Sequence, residues 1–154
     1  MARHVEATHR IVIPLPLDPC QALFTPEGEA RWVEGWSPTY LHPAARDTMP
    51  GMVFTTGEGE DRTYWTLVDY TQRPHRARYV RTMPGTRTGT VEVTCEAMDP
   101  ERTAVTVTYA MTALSEAGER ALDDFEGAAY RAMIESWRDA IETRLPQLRD
   151  DGRA

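Results

Sequence analysis

The side chains best suited to moving a proton or holding a metal near neutral pH are four histidines, His4, His9, His42 and His75. None stands in HExxH or another ligand spacing, so no metal site is expected. Ser37, Ser115 and Ser136 lack the glycine-flanked turn that exposes a nucleophilic serine, and Ser115 suits the cap of a helix instead. Gly85 and Gly89 sit between two strand patterns with no helix after them, so a phosphate cradle is not expected. All 17 basic residues are arginine, and the chain has neither lysine nor asparagine. Schiff-base chemistry, a phosphate-binding lysine and an N-glycosylation sequon are thereby excluded. His42, between Leu41 and Pro43, is left as the best general acid or base by residue type. A loop histidine held by one hydrogen bond is the plainer reading of it.

Arg81 is the second candidate. In the strand pattern from Arg76 to Met83, Ala77, Tyr79 and Met83 alternate with Arg76, Arg78 and Val80, which puts Arg81 on the apolar face. A buried guanidinium without a partner is costly. Asp69 shares the parity of Trp65 and Leu67 and is the first partner expected; a strand end whose head reaches water would also serve. The functional alternative is a ligand carboxylate or other anion. Five arginines (Arg73, Arg76, Arg78, Arg81 and Arg87) lie between Asp69 and Glu92 with no acidic residue among them. A solvated strand face explains such a run more simply than a basic patch.

These residues need elements to position them. Ala7 to Pro16 reads as an opening strand, followed by a short helix capped by Asp18 and another capped by Thr25, with Pro26 at its first position and Glu29 in its first turn. Gly35 to Pro50 reads as an ordered loop. The period then drops to two, giving antiparallel strands over Gly51–Gly57, Arg62–Thr71, Arg76–Met83, Arg87–Met98 and Thr103–Leu114. From about 115 to 146 the pattern is that of one long helix, with residues 147–154 expected to fray. Its apolar stripes run Leu122, Phe125, Ala129, Met133, Ser136, Ala140 and Tyr130, Ile134, Trp137, Ile141, Leu145. The small residues Ala129, Ala132, Ser136 and Ala140 are expected to face the sheet, leaving either close packing or ligand space.

This order resembles the helix-grip fold of the START-like, or SRPBCC, superfamily, in its small bacterial polyketide cyclase/dehydrase-like or Hsp90-ATPase-activator-like branch. The resemblance rests on FTPEGEARWVEGWSPTYLHP (Phe24 to Pro43), GMVFTT, YWTLVDY, MPGTRTG, VTVTYAMTALSEAG and YRAMIESW, and spans nearly the whole chain. It implies an α+β domain over residues 1–154, a curved antiparallel sheet wrapped around a long C-terminal helix with an apolar cavity between them. Two short helices after the first strand would form the mouth. In that geometry Trp32, Trp36 and Tyr40 line the mouth. Trp65, Tyr79, Arg81 and Tyr109 come from the strands, and Phe125, Ala129, Met133 and Trp137 from the helix.

The bulk numbers agree with a chain of this kind. At 154 residues, 41% hydrophobic and 27% charged, it is long enough for one core without metal or disulfide. A net charge of −7 argues against nucleic acid as a partner. The absence of a signal-like segment or a run of about 18 apolar residues argues against membrane insertion and for a cytoplasmic protein. Cys20 and Cys95 match no metal or redox spacing and are expected as reduced thiols. The leading expectation is a binder of a small hydrophobic or amphipathic molecule (a lipid, polyketide or aromatic metabolite), without cofactor. Its rivals are a cyclase/dehydrase-like enzyme and an Hsp90-regulator-like module that docks a protein partner.

Overall fold

A computed structural model describes residues 2–151. Seven strands, β1 (His4–Ile13), β2 (Thr39–His42), β3 (Val53–Thr56), β4 (Thr63–Gln72), β5 (His75–Met83), β6 (Arg87–Asp99) and β7 (Arg102–Ala113), form one antiparallel sheet in the order β1-β7-β6-β5-β4-β3-β2. Consecutive strands from β2 to β7 are neighbours, and the first strand returns to pair with the last, from His4 opposite Thr112 to Ile13 opposite Thr103. The opening strand ends at Ile13, because Pro14 and Pro16 bring no amide hydrogen to a ladder. The stretch expected as loop contains the edge strand β2, held to β3 through Thr39–Thr55 and Tyr40–Phe54.

Between β1 and β2 lie two short helices, α1 (Leu17–Ala22) and α2 (Pro26–Glu29). Thr25 Oγ1 accepts from the Gly28 amide at 3.0 Å and donates to the Ala22 carbonyl at 2.8 Å, tying α2 onto the end of α1. The approach is so close that a Cβ on Gly28 would stand 1.8 Å from the Ala22 carbonyl oxygen. Glycine is needed there for space, and its absence of bulk aims the end of α2 inward.

The long helix is not continuous. It divides into α3 (Glu116–Ala121), a 3-10 turn (Leu122–Phe125), α4 (Gly127–Thr143) and α5 (Leu145–Asp151). Ser115 caps α3 by accepting from the Gly118 amide at 3.1 Å. Glu126 is extended and Gly127 takes φ 60, a left-handed value open to glycine, so the helix restarts there in a new phase. Arg3 pins the break from β1: its guanidinium meets Asp123 at 2.8 Å and Glu126 at 2.6 Å. Pro146 opens α5 near its first turn, where no amide donor is required, and Leu148 is buried at 5%. Residues 147–151, expected to fray, are therefore helical, while 152–154 lie outside the described residues.

The phase change decides what α4 buries. Tyr130, Ile134 and Ile141 are buried against the core, with Met133, Trp137 and Ala140 packed at its margin. Ala129, Ala132 and Ser136, expected to face the sheet, are exposed. The stripe that joined them to Leu122 and Phe125 is severed at Gly127, since those two residues belong to the preceding turn. Tyr130 is fixed by its hydroxyl, which donates to the Val107 carbonyl at 2.6 Å. Among the described residues no helix is long and apolar enough to cross a membrane.

Candidate functional site

The inner face of the sheet carries two groups of aromatic rings. One is built on β2 to β5: Phe54 stacks on Trp65 at 5.7 Å and 4°, Trp36 meets both edge-on, and Tyr79 closes the group at 5.9 Å from Trp65. The other joins Phe24, Trp32, Trp137, Tyr109, Phe125 and Tyr130, with centroid separations from 5.3 to 6.3 Å. Their polar edges are tied to backbone. Trp32 and Trp36 donate through Nε1 to the Leu23 and Pro26 carbonyls, and the Tyr79 hydroxyl donates to the Phe24 carbonyl at 2.7 Å. The Trp65 Nε1 donates to Thr56 Oγ1 at 2.9 Å.

Arg81 spans the two groups. Its guanidinium carbon lies 4.7 Å from the Trp65 centroid on one side, and 6.0 and 5.9 Å from those of Tyr109 and Phe125 on the other. Opposite Arg81 in register is Gly89, and beyond that Met111, so no side chain from β6 stands beside it on this face. Arg87, two residues further along β6, places its guanidinium carbon 5.2 Å from the same Phe125 ring, and its buried Nε has no hydrogen-bond partner.

The expected partner of Arg81 is elsewhere. Leu67 stands opposite Tyr79 and Asp69 opposite Arg78, so β4 bulges at Val68. That extra residue turns Asp69 to the outer face, where its Oδ2 takes Arg76 Nε and Nη2 at 2.9 and 2.6 Å. Among the described residues Arg81 forms no ion pair. The acidic group coupled to it electrostatically is Glu29, half-buried at the end of α2. Burial pushes the Glu29 carboxyl up to about 8, against the opposing pull of Arg81. Burial also raises the Tyr79 and Tyr109 hydroxyls, with Glu29 adding to both and Arg81 lowering Tyr109. Burial first, then the like charge of Arg81, lowers Arg87.

Glu29 is the residue that sequence reasoning missed. A glutamate in a helical first turn reads as a dipole partner, and nothing local shows that α2 is four residues long and aimed at the core. Of the expected residues, Trp32, Tyr79, Tyr109 and Phe125 are buried, and Trp36, Tyr40, Trp65, Arg81, Met133 and Trp137 are half-buried around this interior. Ala129 is not among them. His42 is exposed on β2 and forms no hydrogen bond among the described residues. The other histidines are engaged outside the aromatic groups: His75 with Asp18 at 2.7 Å, His9 with Glu135 at 2.9 Å, and His4 with Thr112 at 2.8 Å.

Coverage of the inner face is uneven. Ala77, Val93, Cys95 and Val105 are sealed, whereas Trp65, Arg81, Met83 and Arg87 keep part of their surface. A cleft of 270 Å³ reaches the second aromatic group from outside, between Trp32 and Val33 on one side and Trp137 and Ala140 on the other. A larger cleft, 590 Å³, wraps the edge at Thr39, Thr55, Arg62 and Tyr64. It contains none of the interior charge, so we place the candidate site at the Arg81 end.

This chain matches no protein-family model and no curated protein. Solved structures do match. Norcoclaurine synthase from Thalictrum flavum, in complex with dopamine and hydroxybenzaldehyde, aligns with TM-score 0.64 at 7% identity over 92% of this chain and 88% of that one. The chain has the helix-grip fold, a curved antiparallel sheet against a C-terminal helix. Ara h 8.0201 aligns at 0.64 with 10% identity, over 92% of this chain and 97% of that one. An uncharacterised Rhizobium leguminosarum protein aligns at 0.65 with 14% identity, over 93% and 97%. At these identities what is shared with these proteins is the fold.

Proposed function

We propose that this protein binds a small organic molecule with a planar apolar body between the sheet and α4, at the end where Arg81 stands. The observation that carries the reading is the seam between the two aromatic groups, bridged by one cation and incompletely covered. Rings on both sides offer flat apolar surface, and aromatic side chains bury large area at little entropic cost. The fold supports the same reading, since one START-like neighbour is described holding two aromatic molecules.

Mass spectra of the purified protein under native and denaturing conditions test it. A discrete extra mass lost on denaturation supports binding. Titration with neutral 2-naphthamide, followed by tryptophan emission, covers a ligand lost during purification. A clean apo mass, together with unchanged emission and no heat of binding, overturns the reading.

One observation favours a second reading, a cyclase- or dehydrase-like enzyme. Burial pushes the Glu29 carboxyl up to about 8, which suits a general acid that protonates an enolate or a leaving hydroxyl near neutral pH. In that reading Glu29, rather than His42, carries the proton, and Arg81 stabilises the developing oxyanion. Turnover of an added β-dicarbonyl substrate that vanishes in Glu29→Gln, with binding retained, would establish it.

A further inference from the structure

The charge inside the molecule does not balance. Two guanidinium groups, Arg81 and Arg87, share the Phe125 ring, and neither forms an ion pair among the described residues. Asp124 and Asp61 bias Arg87 from a distance, so it is partly compensated from the rim. No carboxylate among the described residues pairs with Arg81. Asp69, the carboxylate nearest in strand register, has been turned outward by the bulge at Val68. Both guanidinium groups are half-buried, so each gives up part of its hydration without gaining a counter-ion, which is unfavourable. The cost is recovered when an anion arrives.

Resting on the binding reading above, we infer that the ligand carries an oxyanion, a carboxylate or its equivalent, on its planar body. Arg81 is the principal seat of that oxyanion, and Arg87 lies on its approach. The body lies along Trp65 and Phe125. The arrangement separates anionic from neutral ligands of the same shape, because only the anion satisfies Arg81.

Calorimetric titration of the full chain with 2-naphthoate and with 2-naphthamide, at pH 6.5, tests this. The expected result is binding of 2-naphthoate about tenfold tighter than 2-naphthamide, the size of one charge-assisted pair. In Arg81→Met the difference should fall to about twofold or less, with the amide still bound. Circular dichroism confirms that each variant is folded, and Arg81→Gln replaces Arg81→Met if that one is not. Equal affinity for the two probes, or a preference that survives both Arg81 substitutions, overturns the inference and leaves the binding reading standing. Failure of both probes to bind sinks the two together.

Discussion

The two ends of the inner face are built on opposite plans. At the α1 end, Leu15, Leu23, Val93 and Val105 are sealed at 4% exposure or less, and the polar groups there are paired: Thr103 Oγ1 donates to the Leu15 carbonyl at 2.8 Å. Cys20 and Cys95, far apart in sequence, meet in this end as free thiols, and the Cys20 thiol is raised first by its hydrogen bond to Cys95 and then by burial. At the Arg81 end the same sheet carries two arginines that form no ion pair among the described residues, and rings with uncovered faces. A core that only had to hold the fold together would gain from making both ends alike. The difference separates the part of the interior that secures the chain from the part left for something else.

The sharpest way to break that contrast is at the sealed end. Leu23→Ala should cost about 2–5 kcal/mol in urea unfolding, since it removes a fully enclosed side chain. Gly28→Ala should cost about 1–3 kcal/mol in the same assay by pushing α2 off α1. Glu29→Gln should do the reverse and stabilise. A carboxyl that ionises near 4.5 when unfolded and about 8 when folded costs stability progressively as pH rises between those values. Neither state is charged below about pH 4, so the gain should be absent there and grow steadily as the pH rises toward 8. A gain of equal size at pH 4 would mean that some other effect of the substitution is being read. The smallest effect belongs to Asp69→Asn, which should cost about 0.5 kcal/mol through its exposed pair with Arg76 and leave ligand affinity untouched.

The fold was legible in the sequence where periodicity was long and unbroken. Five strands, the Ser115 cap and the α+β order follow from alternation and capping chemistry. Three local events were not legible. The bulge at Val68 adds one residue and reverses the facing of Asp69, and no residue type near it announces a bulge. The restart at Gly127 reads equally well as a glycine tolerated within a helix, and it is the Arg3 contacts to Asp123 and Glu126 that make it a break. Glu29 required knowing how closely α1 and α2 nest. The ring-bearing residues of the site were visible as apolar positions, while its acidic member was hidden in tertiary geometry.

Pairing the first strand with the last also has a temporal side. β1 meets its ladder partner only when β7 has been made, with His4 waiting for Thr112. At roughly 5–20 residues per second, the nascent strand stays unpaired for about 5–20 s. Contacts so distant along the chain slow folding as well. Glu6 and Arg10, exposed on the strand's outer side, put charge on a segment that would otherwise offer a bare edge to neighbouring chains. Neutralising both should leave the finished protein nearly as stable while lowering its yield from the ribosome, a cost paid only during synthesis.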